Sequence, residues 1–329
     1  VSPRDPISNE EFFASHGASW TPAPLAREVG PGPTWGIVVP TNRPERFAEF
    51  KEAWAQTLAR DDVKGYVVHD DEDGWRDIPK FVPRRTDMIR SWGFYLAWRD
   101  GCQFIASLDD DVAPGEGDPL AAYERAFAKK WPFGPYLAVG ALTDSGEQMR
   151  GFPYGGRWGQ AGLQIGGWHG CPDLDAVTQL YREKAHSTFS ATVLPVPQGS
   201  AVTTCAMNMA FRAELTPIMW QLPLLEGRYN RFGDIWAGLL AKRVLDGRGL
   251  VTLVNGEASV HHDRASNPYA NIVKEAPGLE PNEGMWFRLV EDQDYGYVTD
   301  RFLYWFDDHD LDYADHFRRC RDEWLSLFR

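Results

Sequence analysis

Gln103-Phe104-Ile105-Ala106-Ser107-Leu108 is a short apolar run that ends abruptly in Asp109-Asp110-Asp111. A run of this length and character fits a strand buried on both faces, as in the middle of a parallel sheet. Two similar runs lie upstream. Trp35-Gly36-Ile37-Val38-Val39 stops at Pro40, and Gly65-Tyr66-Val67-Val68-His69 is followed by Asp70, Asp71 and Asp73. Helical stretches over 45–59 and 87–99 separate them. Strand, helix, strand, helix, strand spells a doubly wound, mostly parallel α/β sheet. Ligands of such sheets bind outside the carboxyl ends of the strands. Asp70, Asp71 and the triplet are therefore expected in one cleft.

Downstream, a helix is expected over 119–130, then a loop-rich stretch. Residues 150–159 hold four glycines and a proline, from Arg150 through Arg157 to Gly159. Helices follow over 173–184 and 234–245, and strands over 192–196, 206–211 and 249–254. From Glu283 the pattern is helical to the end. Trp286, Phe302, Trp305, Phe317 and Trp324 form an aromatic stripe there, suited to core packing or to a homo-oligomer face. The division expected is an irregular, Pro-rich arm over 1–33, a doubly wound α/β domain over 34–276 and a helical extension over 277–329.

The chain of 329 residues is 43% hydrophobic, enough for a large core, and carries 14 Trp and 18 Phe. Its formal net charge is −13 without a basic block, which argues against nucleic acid as a partner. An acidic chain can still bind an anion if a metal ion or a few placed arginines concentrate positive charge locally. Cys102, Cys171, Cys205 and Cys320 lack zinc-site spacing and are expected to be reduced thiols of a cytoplasmic protein. No apolar run approaches the roughly 20 residues of a membrane span.

Acidic triplets are commonly solvated turns. This one follows an apolar strand that pins its backbone, so its carboxylates crowd and repel unless a cation or protons intervene. Carboxylate oxygens suit Mg²⁺ or Mn²⁺, which complete their shell with substrate phosphates. Asp109 and Asp111 are the expected metal ligands, with Asp110 facing substrate. An apolar strand ending in Asp-x-Asp is the mark of GT-A-type nucleotide-sugar enzymes.

Five further stretches resemble one family. Arg150-Gly-Phe-Pro-Tyr154 with Arg157 resembles an RGYPFSxR motif, and Asp173-Leu-Asp-Ala-Val-Thr-Gln179 resembles PDYDAPTQ. Cys205-Ala-Met-Asn-Met-Ala-Phe211 is similar to CGMNLAF. The stretch from Gly227 to Gly238 is similar to GRYDDMWAG with a small insertion, and His262-Asp-Arg-Ala-Ser-Asn-Pro-Tyr269 to HSKASNPF. All occur in order in the reversibly glycosylated polypeptides, or UDP-arabinopyranose mutases. The Pro-rich arm and the stretch before the triplet depart from the plant-type chains. The chain looks closer to bacterial relatives acting on GDP-hexoses such as GDP-fucose or GDP-galactose, which points to GDP ahead of UDP.

The resemblance implies pyranose–furanose interconversion of a nucleotide sugar in a GT-A-like fold. It links Arg150 and Arg157 to activity and self-glycosylation. A guanidinium stays cationic, so gripping the diphosphate suits it better than nucleophilic attack. His262 is implied as a third metal or phosphate ligand, with Arg264 beside it on the substrate. Asp234, at a helix start, is either a cap or the group that binds sugar hydroxyls and takes the O4 proton. Asp173 and Asp175 compete for that job, though either could instead be an N-cap. Asp70 and Asp71 are expected to meet the nucleoside, and Asn208, polar within an apolar strand, a sugar or a backbone group. Two rivals share these features: a glycosyltransferase with an acceptor, and a self-glycosylated, non-catalytic scaffold.

Overall fold

The computed structural model describes residues 32–143, 147–148, 150–152, 157–182, 186–223, 225, 228–229, 231–263 and 267–329. Its first half runs β1 (Trp35–Thr41), α1 (Pro44–Ala53), α2 (Ala55–Leu58), β2 (Val63–His69), α3 (Arg90–Arg99), β3 (Phe104–Leu108), β4 (Val112–Pro114), α4 (Pro119–Phe127) and β5 (Lys130–Phe133). Then come β6 (Arg157–Gly170), α5 (Ala176–Tyr181), β7 (Ser187–Thr188), β8 (Val193–Pro195), β9 (Asn208–Arg212), α6 (Gly233–Gly247) and β10 (Val251–His262). Three helices finish the chain: α7 (Pro268–Arg288), α8 (Tyr295–His309) and α9 (Leu311–Ser326).

The α/β class expected from the sequence is the one observed. The main path of the sheet has the order β2-β1-β3-β9-β6-β10-β4. β1 is parallel to β2 and β3, β9 is antiparallel to β3 and β6, β10 is parallel to β6, and β4 reverses again. Five of the seven strands therefore run one way. Along β1, Trp35, Ile37 and Val39 face a core shared with α1 and α4, while Val38 faces one shared with α3, α6, α8 and α9. Both faces are covered, which explains an unbroken apolar run rather than an alternating one.

The Gly-rich stretch expected as loop is in part a strand, β6, the longest of the sheet. Glycine weakens a strand unless another group approaches closely. Here Cβ atoms on Gly166 and Gly167 would collide with the Asn208 and Tyr123 side chains and with Ser259 and Phe189. The boundary expected after residue 276 falls inside α7, which begins at Pro268 and runs through Pro277 and Pro281. Phe302, Phe317 and Trp324 are buried in the cluster that also holds the side chains of α6, and Trp286 and Trp305 pack against it, so the aromatic stripe is core. Each such side chain contributes roughly 1.5–3 kcal/mol by leaving water.

One family-like stretch owes part of its pattern to architecture. Asn267 caps α7, its side chain accepting from the Tyr269 and Ala270 amides at 3.0 and 3.3 Å, with Pro268 in the first turn. Asn267→Ala is expected to cost about 1 kcal/mol in chemical denaturation. Among the described residues no helix is long and apolar enough to cross a membrane. The four cysteines are free thiols.

Candidate active site

Strand direction decides what meets. β1, β2, β3, β6 and β10 place their carboxyl ends on one edge, and the reversed β9 and β4 place their amino ends there. Thr41, Asp70, Asp109, Gly170 and His262 thus share an edge with Ala206 and Val112. The triplet forms the turn between β3 and β4. His262 lies opposite Val112 in the register of β10 and β4, one residue from Asp111.

Two arginines that the sequence did not single out grip the triplet. Arg90, 1% exposed, donates to Asp109 Oδ1 at 2.6 Å, the Ala206 carbonyl at 2.6 Å and Ser107 Oγ at 2.8 Å. Arg43, just past β1, forks onto both oxygens of Asp110 and reaches Asp111 Oδ2 at 3.2 Å. Thr41 Oγ1 donates to Asp110 Oδ2 at 2.6 Å. Burial works against the Arg43 charge most strongly, but the hydrogen bonds and negative charges of Asp110 and Asp111 together outweigh it and raise its pKa. Asp110 is thereby an internal anchor, its side chain 3% exposed, rather than the substrate-facing member expected. Asp109, with a side chain 34% exposed, opens to the cleft.

A second acidic group gathers beside Asp109. Cys205 Sγ donates to Asp173 Oδ2 at 3.0 Å. Asp234, in the first turn of α6, accepts from the Ala206 amide at 3.2 Å and the Ile235 amide at 2.9 Å. Burial, then the charges of Asp173, Asp234 and Asp109, pushes the Cys205 thiol well above its usual value. It is a neutral hydrogen-bond donor among carboxylates at physiological pH. Asp173 and Asp234 come from segments far apart in sequence, and Arg90 ties their neighbour Ala206 to Asp109.

Other expected site residues have different jobs. Asp70 is buried and accepts from Trp75 Nε1 at 2.8 Å and from the Arg85 and Thr86 amides at 2.8 and 2.9 Å. It staples the loop after β2, where Arg85 has a left-handed φ of 58°. Asp71 closes a turn on the Gly74 amide at 2.7 Å. Both carboxylates are thus engaged by their own loop, and Asp71 remains exposed. Asp175 is the N-cap of α5, accepting from the Thr178 amide at 2.8 Å. Asn208 is 1% exposed, donates to the Gly167 and Ala258 carbonyls at 2.9 and 2.7 Å, and accepts from Tyr123. Its partner is thus backbone, and it locks β9 between its neighbours instead of meeting substrate. Arg150 is exposed on a turn, and Arg157 opens β6 opposite Phe133. Arg264 lies outside the described residues.

Among the described residues no cluster of three or more His, Cys, Asp or Glu side chains is arranged to hold a metal. His262 Nδ1 lies 2.9 Å from the Cys171 carbonyl, an arrangement that fixes its ring. The donors on offer at the triplet are two carboxylates, Asp109 and Asp111. That set does not make a protein cage. It fits Mg²⁺ or Mn²⁺, which take one or two carboxylates and fill the shell with water and phosphate oxygens.

Residues 84–287 match the family described as Reversibly glycosylated polypeptide. The chain belongs to that family. UDP-arabinopyranose mutase 1 of Arabidopsis thaliana is 34% identical over 271 residues, covering 74% of this chain and 75% of its own length. UDP-arabinopyranose mutase 2 of the same plant is 33% identical over 292 residues, covering 80% and 78%. A solved structure described as the mannosyltransferase PcManGT from Pyrobaculum calidifontis, in complex with GDP-Man and Mn²⁺, covers 93% of this chain and 78% of its own, at 13% identity and a TM-score of 0.42. In this chain the family stretches are of two kinds. Those at Asp173 and Cys205 bring side chains to the cleft. Those at Gly227 and Asn267 also brace the fold: Arg228 and Tyr229 bind Asp310 at 2.7 and 2.8 Å.

Proposed function

We propose that this chain interconverts the pyranose and furanose forms of a nucleotide sugar, UDP-arabinopyranose first, holding its diphosphate at the triplet. The observation that carries the reading is the meeting of Asp109, Asp173 and Asp234, from three distant segments, beside a triplet braced by two guanidiniums. Family membership and the names of the relatives support the reaction. The expected lean to a GDP-hexose finds no support in relatives named for UDP-arabinopyranose.

The ring oxygen bonded to C1 must change from O5 to O4. In this reading the C1–phosphate bond breaks, O4 attacks C1 of an oxocarbenium-like sugar, the other ring bond opens and the diphosphate returns. A metal ion on Asp109 and Asp111, with His262 close by, would stabilise the charge growing on the departing diphosphate. Arg150 is proposed to grip it, whereas Arg157, expected in the same role, opens β6 at its amino end, on the sheet edge opposite the triplet. Arg150→Lys, which keeps the charge but loses the fork, is expected to lower kcat about 10-fold in an isomerisation assay.

Asp173 is the carboxylate favoured to take the O4 proton and to return it to O5 as the C1–O5 bond opens. It is exposed to the cleft, whereas Asp234 has both oxygens engaged by backbone amides. Asp173→Asn is expected to reduce kcat about 100- to 10,000-fold with the fold intact. Full activity would move the role to Asp234. The reading as a whole is tested with purified protein, Mn²⁺ and UDP-arabinopyranose without acceptor. Formation of UDP-arabinofuranose supports it, whereas free sugar and UDP alone favour a transferase, and stoichiometric arginine glycosylation without turnover a scaffold.

A further inference from the structure

We propose that Arg43 is a resident counter-ion that competes with the divalent cation for Asp111, and so sets how tightly the nucleotide-free site binds metal. The inference rests on the metal reading above. Its basis is an asymmetry between the two guanidiniums. Arg90 has its contacts to Ser107, Ala206 and Asp109 inside the protein and is 1% exposed. Arg43 is 31% exposed. It bonds Asp110 through Nε and one terminal nitrogen, and that same terminal nitrogen reaches Asp111 Oδ2 at 3.2 Å.

Three carboxylates and two guanidiniums leave the cluster one net negative charge. A cation approaching Asp111 therefore meets a positive group already on its oxygen. Asp110, fixed by Thr41 as well, cannot move to relieve the conflict. Arg43 can, because its side chain is 31% exposed: a turn gives up both contacts of that terminal nitrogen, to Asp110 Oδ1 and Asp111 Oδ2, and keeps the one from Nε to Asp110 Oδ2. Once turned from Asp111 it lies at the start of α1, at the edge where an anion shared with the metal would bind. A helix amino end and a guanidinium both favour an anion there. Metal binding thus frees the cation that the diphosphate needs, and the two ligands favour each other reciprocally.

A bracing role and a counter-ion role predict opposite signs. Loss of a mere brace weakens every ligand. Loss of a competing cation tightens metal binding and weakens the anion. The test is Mn²⁺ titration followed by electron paramagnetic resonance of the free ion, on wild type, Arg43→Gln and Arg43→Lys, with and without UDP, and with thermal melts to confirm folding. Without UDP, Arg43→Gln is expected to bind Mn²⁺ about 10-fold more tightly than wild type, and UDP about 10-fold more weakly. Arg43→Lys, whose single ammonium cannot span Asp110 and Asp111, is expected to show a smaller rise of about 3-fold, and it decides the matter if the Gln variant does not fold. A folded variant with unchanged or weaker Mn²⁺ binding overturns the proposal. Absence of saturable Mn²⁺ binding in wild type overturns instead the metal reading on which it rests.

Discussion

An Asp111→Asn variant is expected to lose at least about 1,000-fold in turnover while keeping its fold. The substitution preserves size and removes the charge that would hold a metal against a departing diphosphate. Asparagine keeps an oxygen that can accept from Arg43, which reaches Asp111 at 3.2 Å, so the fold should survive. Asp110→Asn makes the contrast. That side chain is enclosed, with Thr41 and Arg43 on its oxygens, and its loss should register first as a lower melting temperature. Turnover by nucleotide-sugar chromatography and Mn²⁺ titration on the same samples separate the two. Asp111→Asn within 10-fold of wild-type turnover would remove the triplet's outer member from the chemistry.

Arg90→Met is expected to cost about 3–5 kcal/mol of stability and to abolish activity in whatever remains folded. The guanidinium is buried and bonds a carboxylate and a hydroxyl at the end of β3 and a carbonyl just before β9. Methionine fills similar volume but leaves the Asp109 charge without its partner and the join between β3 and β9 without its bolt. Buried groups stripped of a partner carry their full desolvation cost. Urea denaturation gives the stability change. A loss below about 1 kcal/mol would mean that Asp109 and Ala206 are held by something else.

The sequence made β1, β2 and β3 legible because each is buried on both faces, which leaves a continuous apolar run. Their parallel order then put the triplet on the ligand-binding edge. β6 was not legible. Its glycines resemble loop composition until Asn208, Tyr123, Ser259 and Phe189 are seen pressing on its backbone. In the site, the acidic residues were evident from the triplet and the family-like stretches, but their counter-ions were not. Arg43 lies 67 residues from Asp110 and Arg90 lies 19 from Asp109, and no local pattern connects them. A signal existed in the net charge of −13, which already required placed arginines or a metal beside any bound anion. Asp70 was over-read, and Asp175 and Asn208 took the plainer of the alternatives open to them, an N-cap and a backbone partner, for a common reason. A polar side chain at a strand end, a helix start or inside a strand is as readily satisfied by backbone amides and carbonyls as by a ligand.

The claim at the centre of this account is that the diphosphate leaves C1, is held at the triplet and returns. Positional isotope exchange tests it most directly. UDP-arabinopyranose carrying ¹⁸O in the bridge between C1 and the β-phosphorus is incubated with the enzyme and Mn²⁺, and recovered substrate and product are examined by phosphorus NMR. The account predicts that the label scrambles into the non-bridging β-phosphate positions at a rate at least equal to turnover, and that EDTA stops both. Isomerisation with the label still wholly in the bridge would contradict it.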